Sequence, residues 1–450
     1  MSRTWDRLTL PGKALAIILP LGAVLTLGLI VTLALFGQNI IDILIFNLPI
    51  VRFVLSATIL LLLAPPIAFV IIYMEMKIIA LMNLRIGPDR VGPWGSLLST
   101  VHGLKVLMKE DFTPTRADPI VFTWAPVIVF GAAAMSALVL PFAPGLYGQD
   151  FNIGLLYFFA IGGMTVVGLL MGGWSSFNKY SLLGGIRSAA QIVSYEIPLT
   201  LSVVGLVILA GTMSLNQIVL QQGTSGWFTD WYVFRQPLGF LIFAIAATAE
   251  ANRTPFDLTE ADSEIVAGFA TEYSGMRFGF FFFAEYIGVF IISALTTVLF
   301  LGGWNAPFPV PHISWIIDPS SLGLWLLIGV MVVPLIATLI FAAPFYLFRS
   351  KTRWWVALII GFVLFNVAAG GLFFLWAYIN FDWVAGLIWF LGKAFGLVFL
   401  FVWMRGTLPR VRIDQLMGFA WKWLLPAALL NLFITAAAIL VIDAIRKGAA

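Results

Sequence analysis

The sequence predicts an all-α polytopic membrane bundle of about 11 spans with an amphipathic helix at the membrane surface, and three observations carry that expectation. Hydrophobic residues make up 61% of the 450-residue chain, charged residues only 10%, and the mean hydropathy is +1.02. Few polar side chains are left to clothe a soluble surface. The apolar runs reach the roughly 20 residues that cross a hydrocarbon core of ~30 Å as a helix. They are too long and continuous for barrel strands, and a helix satisfies its own backbone inside lipid. Basic residues, finally, fall in alternate loops, as topology under the positive-inside rule requires.

Taken in order, the runs span 14–36, 51–74, 120–141, 153–174, 190–212, 236–249, 277–302, 322–348, 354–380, 385–404 and 421–442. The sixth has fourteen residues and needs a turn from its flanks to cross. With the N-terminus in the cytoplasm, 20 of the 25 Lys and Arg residues lie inside and four outside, with Lys393 within a span. Every motif-rich loop is then cytoplasmic. Met1–Lys13 is basic, but the following run is span-length and lacks a small-residue cleavage site, so a retained span is expected.

Composition also excludes chemistry. The chain has no cysteine, which removes disulfides, thiolate-held iron–sulfur clusters and a cysteine nucleophile. Two histidines, His102 and His312, are too few for a bis-histidine haem within the membrane. No metal site is expected, and electrons passing near this chain belong to another subunit.

Four loops carry the polar residues. In RIGPDRVGPWGSLLSTVHGLKVLMKED, glycine–proline turns bracket Arg85 and Arg90. Leu97, Leu98, Val101, Leu104, Leu107 and Met108 then recur at helical spacing, with His102, Lys105 and Lys109 opposite. In GGWSSFNKYSLLGGIRSAAQIVSYEIP, nine residues separate Arg187 from Glu196, ~13 Å of helical rise that takes Glu196 into the bilayer. The loop RGTLPRVRIDQ sets Arg405, Arg410 and Arg412 against Asp414, which generic anchoring explains and a polar headgroup or partner would sharpen.

The fourth, Ala249–Tyr286, holds seven of the 21 acidic residues: Glu250, Asp257, Glu260, Asp262, Glu264, Glu272 and Glu285. Glu260 and Glu264, four apart, share one face of any helix there. Close like charges raise proton affinity, which suits proton relay. Glu285 falls inside an apolar run, where an ionisable group is a functional candidate. A solvated loop between two spans is the plain alternative.

RIGPDRVGP, GWSSFNKYSLLGGIRSAAQIVSYEIP, AEANRTPFDLTEADSEIVAGFATEYSGMRFGFFFFAEY and WMRGTLPRVRIDQLMGFAWK, in this order, resemble the H subunit of bacterial NADH-quinone oxidoreductase (complex I), the counterpart of mitochondrial NADH dehydrogenase subunit 1. The resemblance covers roughly 51–305 and 385–442. It implies an eight-span core that admits a quinone tail at the junction with a peripheral arm. It further implies that Glu250, Glu260, Asp262, Glu264 and Glu272 form the acidic loop at the quinone chamber, with Glu196 and Glu285 continuing a buried path. Chamber and docking residues would be Glu75, Arg85, Arg90, His102, Lys105, Arg187, Arg253, Asp257, Arg410, Arg412 and Asp414. Quinone is then the substrate, no cofactor is bound by this chain, and iron–sulfur clusters and flavin belong to partner subunits. The partners would be the other complex I membrane subunits and the peripheral arm, and the location a multi-pass position in the cell's inner (plasma) membrane.

Met76, Asp89 and His102 stand where the family usually has Arg, Asn and Asp. Three spans have no counterpart in the eight-span pattern. The expected organisation is therefore an extra N-terminal span in 1–50, family spans one to six in 51–305, an inserted hairpin in 306–384 and the last two family spans in 385–450. Two rival readings keep these acids: the same architecture with a ferredoxin or reduced-deazaflavin donor, and a stand-alone cation/proton antiporter. The antiporter should show internal repeats and broken paired spans, which the sequence lacks.

Overall fold

A computed structural model describes residues 49–224, 226–257, 267–308 and 382–448. These belong almost entirely to the larger of the two compact units of the chain, Ile50–Pro309 with Gly386–Ala450. The expected spans 14–36, 322–348 and 354–380 lie outside the described residues, as do Glu260, Asp262 and Glu264.

The described residues are helical, with no strand among them. In chain order the helices are α1 (Pro49–Met82), α2 (Leu98–Leu107), α3 (Pro119–Ser136), α4 (Gly154–Ser175), α5 (Lys179–Ala210), α6 (Leu215–Gln221), α7 (Pro237–Glu250), α8 (Gly275–Phe300), α9 (Asp382–Thr407), α10 (Ile413–Phe419) and α11 (Leu425–Gly448). A π-helical segment, Ala420–Leu424, joins α10 to α11. Among the described residues seven stretches are long and apolar enough to cross a membrane, in α1, α3, α4, α5, α8, α9 and the α10–α11 run, and α7 is a shorter apolar helix. The chain is thus a polytopic helical membrane protein.

Local chemistry sets the helix ends. Asp118 caps α3 by accepting from the Ile120 and Val121 amides, with Pro119 in the first turn. Asn178 caps α5 by accepting from the Tyr180 amide. Gly211, left-handed at φ 67°, closes α5 and donates to Val207 O. The end of the bundle holding Met82, Ser175, Lys179, Glu250, Gly275 and Thr407 carries the motif loops and is termed the motif end. The opposite end is the far end.

Two elements differ from expectation. The fifth run predicts a span from residue 190, yet α5 starts at Lys179 and is 32 residues long. Its first turns pack on protein: a Cβ at Gly184 would lie 2.5 Å from the Gly268 backbone, so the missing side chain lets the 267–273 loop rest on the helix. The sixth run stays at 14 residues, ~21 Å of rise, short of a hydrocarbon core. It gains no turn from its flanks. Gln236 (φ −140°, ψ 62°) breaks it from the short Tyr232–Arg235 turn before it, and the chain beyond Glu250 continues as a buried loop.

Helix α2 is the expected amphipathic segment, with a third face. Ser99 is buried, Gly103 lies against the Phe69 ring and Val106 meets Gly279 of α8. Leu97, Val101, Leu104, Leu107 and Met108 point outward, an apolar stripe suited to lipid. The core runs through Phe122, Tyr195, Leu199, Phe243, Leu295, Phe300 and Phe390. α5 packs on α4, α7 and α11, and α8 on α3.

Candidate functional site

The site begins with the short α7. Because the helix stops early, residues 251–257 lie buried with backbone carbonyls to satisfy, and unsatisfied carbonyls at membrane depth are costly. Gln191, one per cent exposed on α5, supplies the donor. Its Nε2 reaches Ala249 O at 2.9 Å, Phe256 O at 2.8 Å and Asn252 Oδ1 at 3.2 Å. The Val411 amide donates to Pro255 O at 3.0 Å, joining the loop to the segment after α9.

This loop carries Arg253, buried with a side chain five per cent exposed. Its guanidinium bridges two helices: Nη1 is 3.4 Å from Glu75 Oε2 of α1 and Nη2 is 3.6 Å from Glu285 Oε1 of α8. It also lies 4.3 Å from the centre of the Tyr286 ring. Arg405, near the end of α9, donates to the other Glu75 oxygen. Two carboxylates and two guanidinium groups thus share one partly dry volume and balance in charge, the arrangement in which buried ions are tolerated. Asp257 and Arg410 extend it at 3.5 Å.

Beyond Glu285 the cluster opens into a cavity of about 120 Å³ between α3, α4, α7 and α8. Glu250, Glu285, Asn252, Ser136 and Thr165 give it polar groups, and Phe158, Leu169, Ile192 and Ile291 apolar walls. Glu196 approaches from α5: a Cβ on Gly163 would be 3.8 Å from its Oε1, and it repels Glu250 electrostatically. On the other side, Glu75 shares a surface pocket with Met76, Ile79, Arg85, Pro88 and Leu98. The cluster therefore stands between a surface pocket and a narrower, acid-lined cavity. Such an arrangement can store and pass charge, and reduction chemistry needs a group from elsewhere.

A profile of the family described as NADH dehydrogenase matches residues 54–436. The H subunit of the NADH-quinone oxidoreductase of Bacillus cytotoxicus is 44% identical over 363 residues, covering 80% of this chain and 86% of the relative. The proteins of the same name from Anoxybacillus flavithermus and Bacillus mycoides are 42% and 44% identical over the same shares. The chain belongs to the H-subunit family of NADH-quinone oxidoreductases.

Of the site residues expected from the sequence, Glu75, Arg253 and Glu285 come together directly, and Asp257 pairs with Arg410. Glu196 and Glu250 flank the cavity. Arg85 shares the surface pocket with Glu75, and Arg90 lines the adjoining one with Asp89 and Val91. Glu272 lies elsewhere, accepting from Asn178 Nδ2 at 2.6 Å in a surface pocket with Arg116 and Lys179. His102, Lys105, Arg412 and Asp414 are exposed, and Arg187 is half-buried on α5. Among the described residues no three His, Cys, Asp or Glu side chains are grouped to hold a metal ion.

Sequence reasoning reads Arg405 as a membrane anchor and passes over Gln191 and Tyr286. Arg405 carries no local signal, since its partner Glu75 is 330 residues away. An amide inside an apolar helix is a signal for Gln191, because such a group needs partners. Arg277 pairs with Asp111 at 3.1 Å, tying the start of α8 to the segment after α2. Next to it Tyr273 stacks on Phe122 at 4.0 Å and donates to Phe122 O. Burial pushes the Tyr273 phenol up to about 12, against smaller downward pulls from Ser175 and Arg277.

Proposed function

We propose that this chain is the membrane subunit of a proton-translocating NADH-quinone oxidoreductase that forms the quinone-access chamber and couples quinone reduction to proton translocation. The observation that carries this reading is the Glu75–Arg253–Glu285 bridge, with Arg405 on Glu75, set between the Glu75–Arg85 pocket and the Glu250–Glu285 cavity. In this reading the quinone headgroup is reduced by an iron–sulfur cluster of a peripheral subunit. The change in charge alters the pull on the guanidinium groups. A bridged arginine cannot favour both carboxylates equally, so a shift toward one raises the proton affinity of the other. Glu285, Glu250 and Glu196 then hold or pass the proton. Glu260, Asp262, Glu264 and Glu272 take the role of chamber acids, a role that rests on the family resemblance.

The same reading gives the chain membrane and peripheral-arm partners, places it in the cell's inner (plasma) membrane and puts the motif end in the cytoplasm. It also makes 51–305 and 385–450 the family core, with 1–50 and 306–384 as additions. The test is gentle solubilisation followed by purification through a tag on this chain. Co-purification with peripheral iron–sulfur proteins, and quinone reduction by the isolated assembly with NADH as donor, support the reading. Reduction with ferredoxin or reduced deazaflavin alone would change the donor and keep the chamber. Ion exchange by the isolated chain, without donor or quinone, would replace the reading with an antiporter.

A further inference from the structure

The far end holds a partly buried cation, Lys393. Lys393 lies within α9, an apolar helix, and its ammonium donates to Leu301 O at 2.7 Å, Gly303 O at 2.8 Å and Asn305 O at 2.6 Å. The Trp231 ring closes the remaining side, 4.4 Å from Nζ to its centre. A Cβ on Gly302 (φ 73°) would stand 2.4 Å from Trp231 Nε1, so glycine is what lets the indole lie against this turn. No carboxylate pairs with Lys393 among the described residues, unlike the guanidinium groups of the motif end.

Its neighbours are neutral amides. Gln222, one per cent exposed, donates to Val298 O at 2.9 Å and accepts from the Gly302 amide at 3.0 Å and the Tyr232 amide at 3.2 Å. Asn305 Nδ2 donates to Val219 O at 2.8 Å. Among the described residues the buried acids, Glu75 and Asp257, both belong to the motif end.

This chemistry is the reverse of a relay. Amides do not titrate. An ammonium with all three protons given to carbonyls has no site to accept a proton. Three carbonyl acceptors and the indole face favour the protonated amine, and a positive charge held there repels any further cation, as the cationic barriers of selective pores do. We propose that Lys393 and its carbonyl–indole cage form the subunit's barrier to protons and alkali cations at the far end, closing the bundle behind the acid-lined cavity. The proposal rests on the reading that the cavity acids hold protons. A purely structural alternative is that Lys393 only caps the carbonyls at the end of α8.

The test uses the complete assembled complex, wild type, K393M and K393R, in phospholipid vesicles with a trapped pH dye. A potassium gradient with valinomycin imposes the potential, with neither donor nor quinone present, and flux into protein-free vesicles is subtracted. K393M, close in volume but uncharged, should raise passive proton flux at least about five-fold, and K393R, which keeps the charge, should stay within about two-fold of wild type. K393M as tight as wild type would overturn the barrier, as would equal leaks in both variants. Failure of K393M to assemble would make the lysine a folding cap and overturn it as well. Because no turnover is involved, these outcomes are separate from a failure of the coupling reading, which would appear as uncoupled quinone reduction in the wild-type vesicles.

Discussion

At the motif end, Glu75, Arg253, Glu285 and Arg405 are brought out of water together and answer one another's charge. At the far end Lys393 is drawn partly out of water with backbone carbonyls and an indole as its partners among the described residues. In the first arrangement one arginine, Arg253, is shared between two carboxylates, and Arg405 holds the second oxygen of Glu75. In the second, three hydrogen bonds use all of the Lys393 donors, and no acid among the described residues pairs with it. The same membrane cost of burying ions is thus met by opposite charges at one end and by backbone carbonyls and a ring face at the other.

The sharpest way to break this comparison is to remove the shared cation. Arg253→Met leaves Glu75 with one partner and Glu285 without the guanidinium, and breaking a buried pair from one side costs roughly 3–5 kcal/mol. The expected outcome is loss of quinone reduction together with a lowered unfolding midpoint of the purified complex. Unchanged stability would mean that Arg253 is not the bridge. Arg405→Met is smaller, since Glu75 keeps Arg253. A charged hydrogen bond is worth about 1.5–3 kcal/mol. A cycle with Glu75→Gln should therefore show coupling between 75 and 405, while additivity would separate them.

Gln191→Leu tests the loop rather than the charges. It leaves the Ala249 and Phe256 carbonyls without their side-chain donor, at about 1–3 kcal/mol. Hydrogen exchange in 251–257 should accelerate while α5 itself stays protected, and equal rates in wild type and variant would show that the loop holds its shape by other means. The smallest effect is expected from topology probes, which only assign the two ends to the two sides of the membrane. The chain has no cysteine, so single introduced thiols on it report without background. In right-side-out membranes Thr407→Cys at the motif end should be shielded from an impermeant reagent and Gly226→Cys should label. The opposite pattern would invert the orientation.

Much of the fold is legible in the sequence because helices in lipid announce themselves by length and hydropathy. The expected 153–174 and 277–302 agree closely with Gly154–Ser175 and Gly275–Phe300. The start of α5 is not legible, since Lys179, Gly184, Gly185 and Arg187 read as loop until Gly184 is seen packed on Gly268. In the site, Glu196 and Glu285 show as acids within apolar runs. Arg253 shows only as part of a motif, and its role as a bridge needs the fold that carries α1 and α8 to it. Lys393 is conspicuous as a cation inside a span, but sequence does not reveal that its partners are carbonyls rather than an acid.

The most direct test of the coupling account measures quinone reduction and proton uptake on the same vesicles for Glu285→Gln, the acid that joins the arginine bridge to the cavity. The account predicts that both fall, with proton uptake lost at least as severely as reduction, because the substitution removes a proton-holding group without emptying the site. Full reduction with full proton uptake, in Glu285→Gln and again when combined with Glu250→Gln, would contradict it.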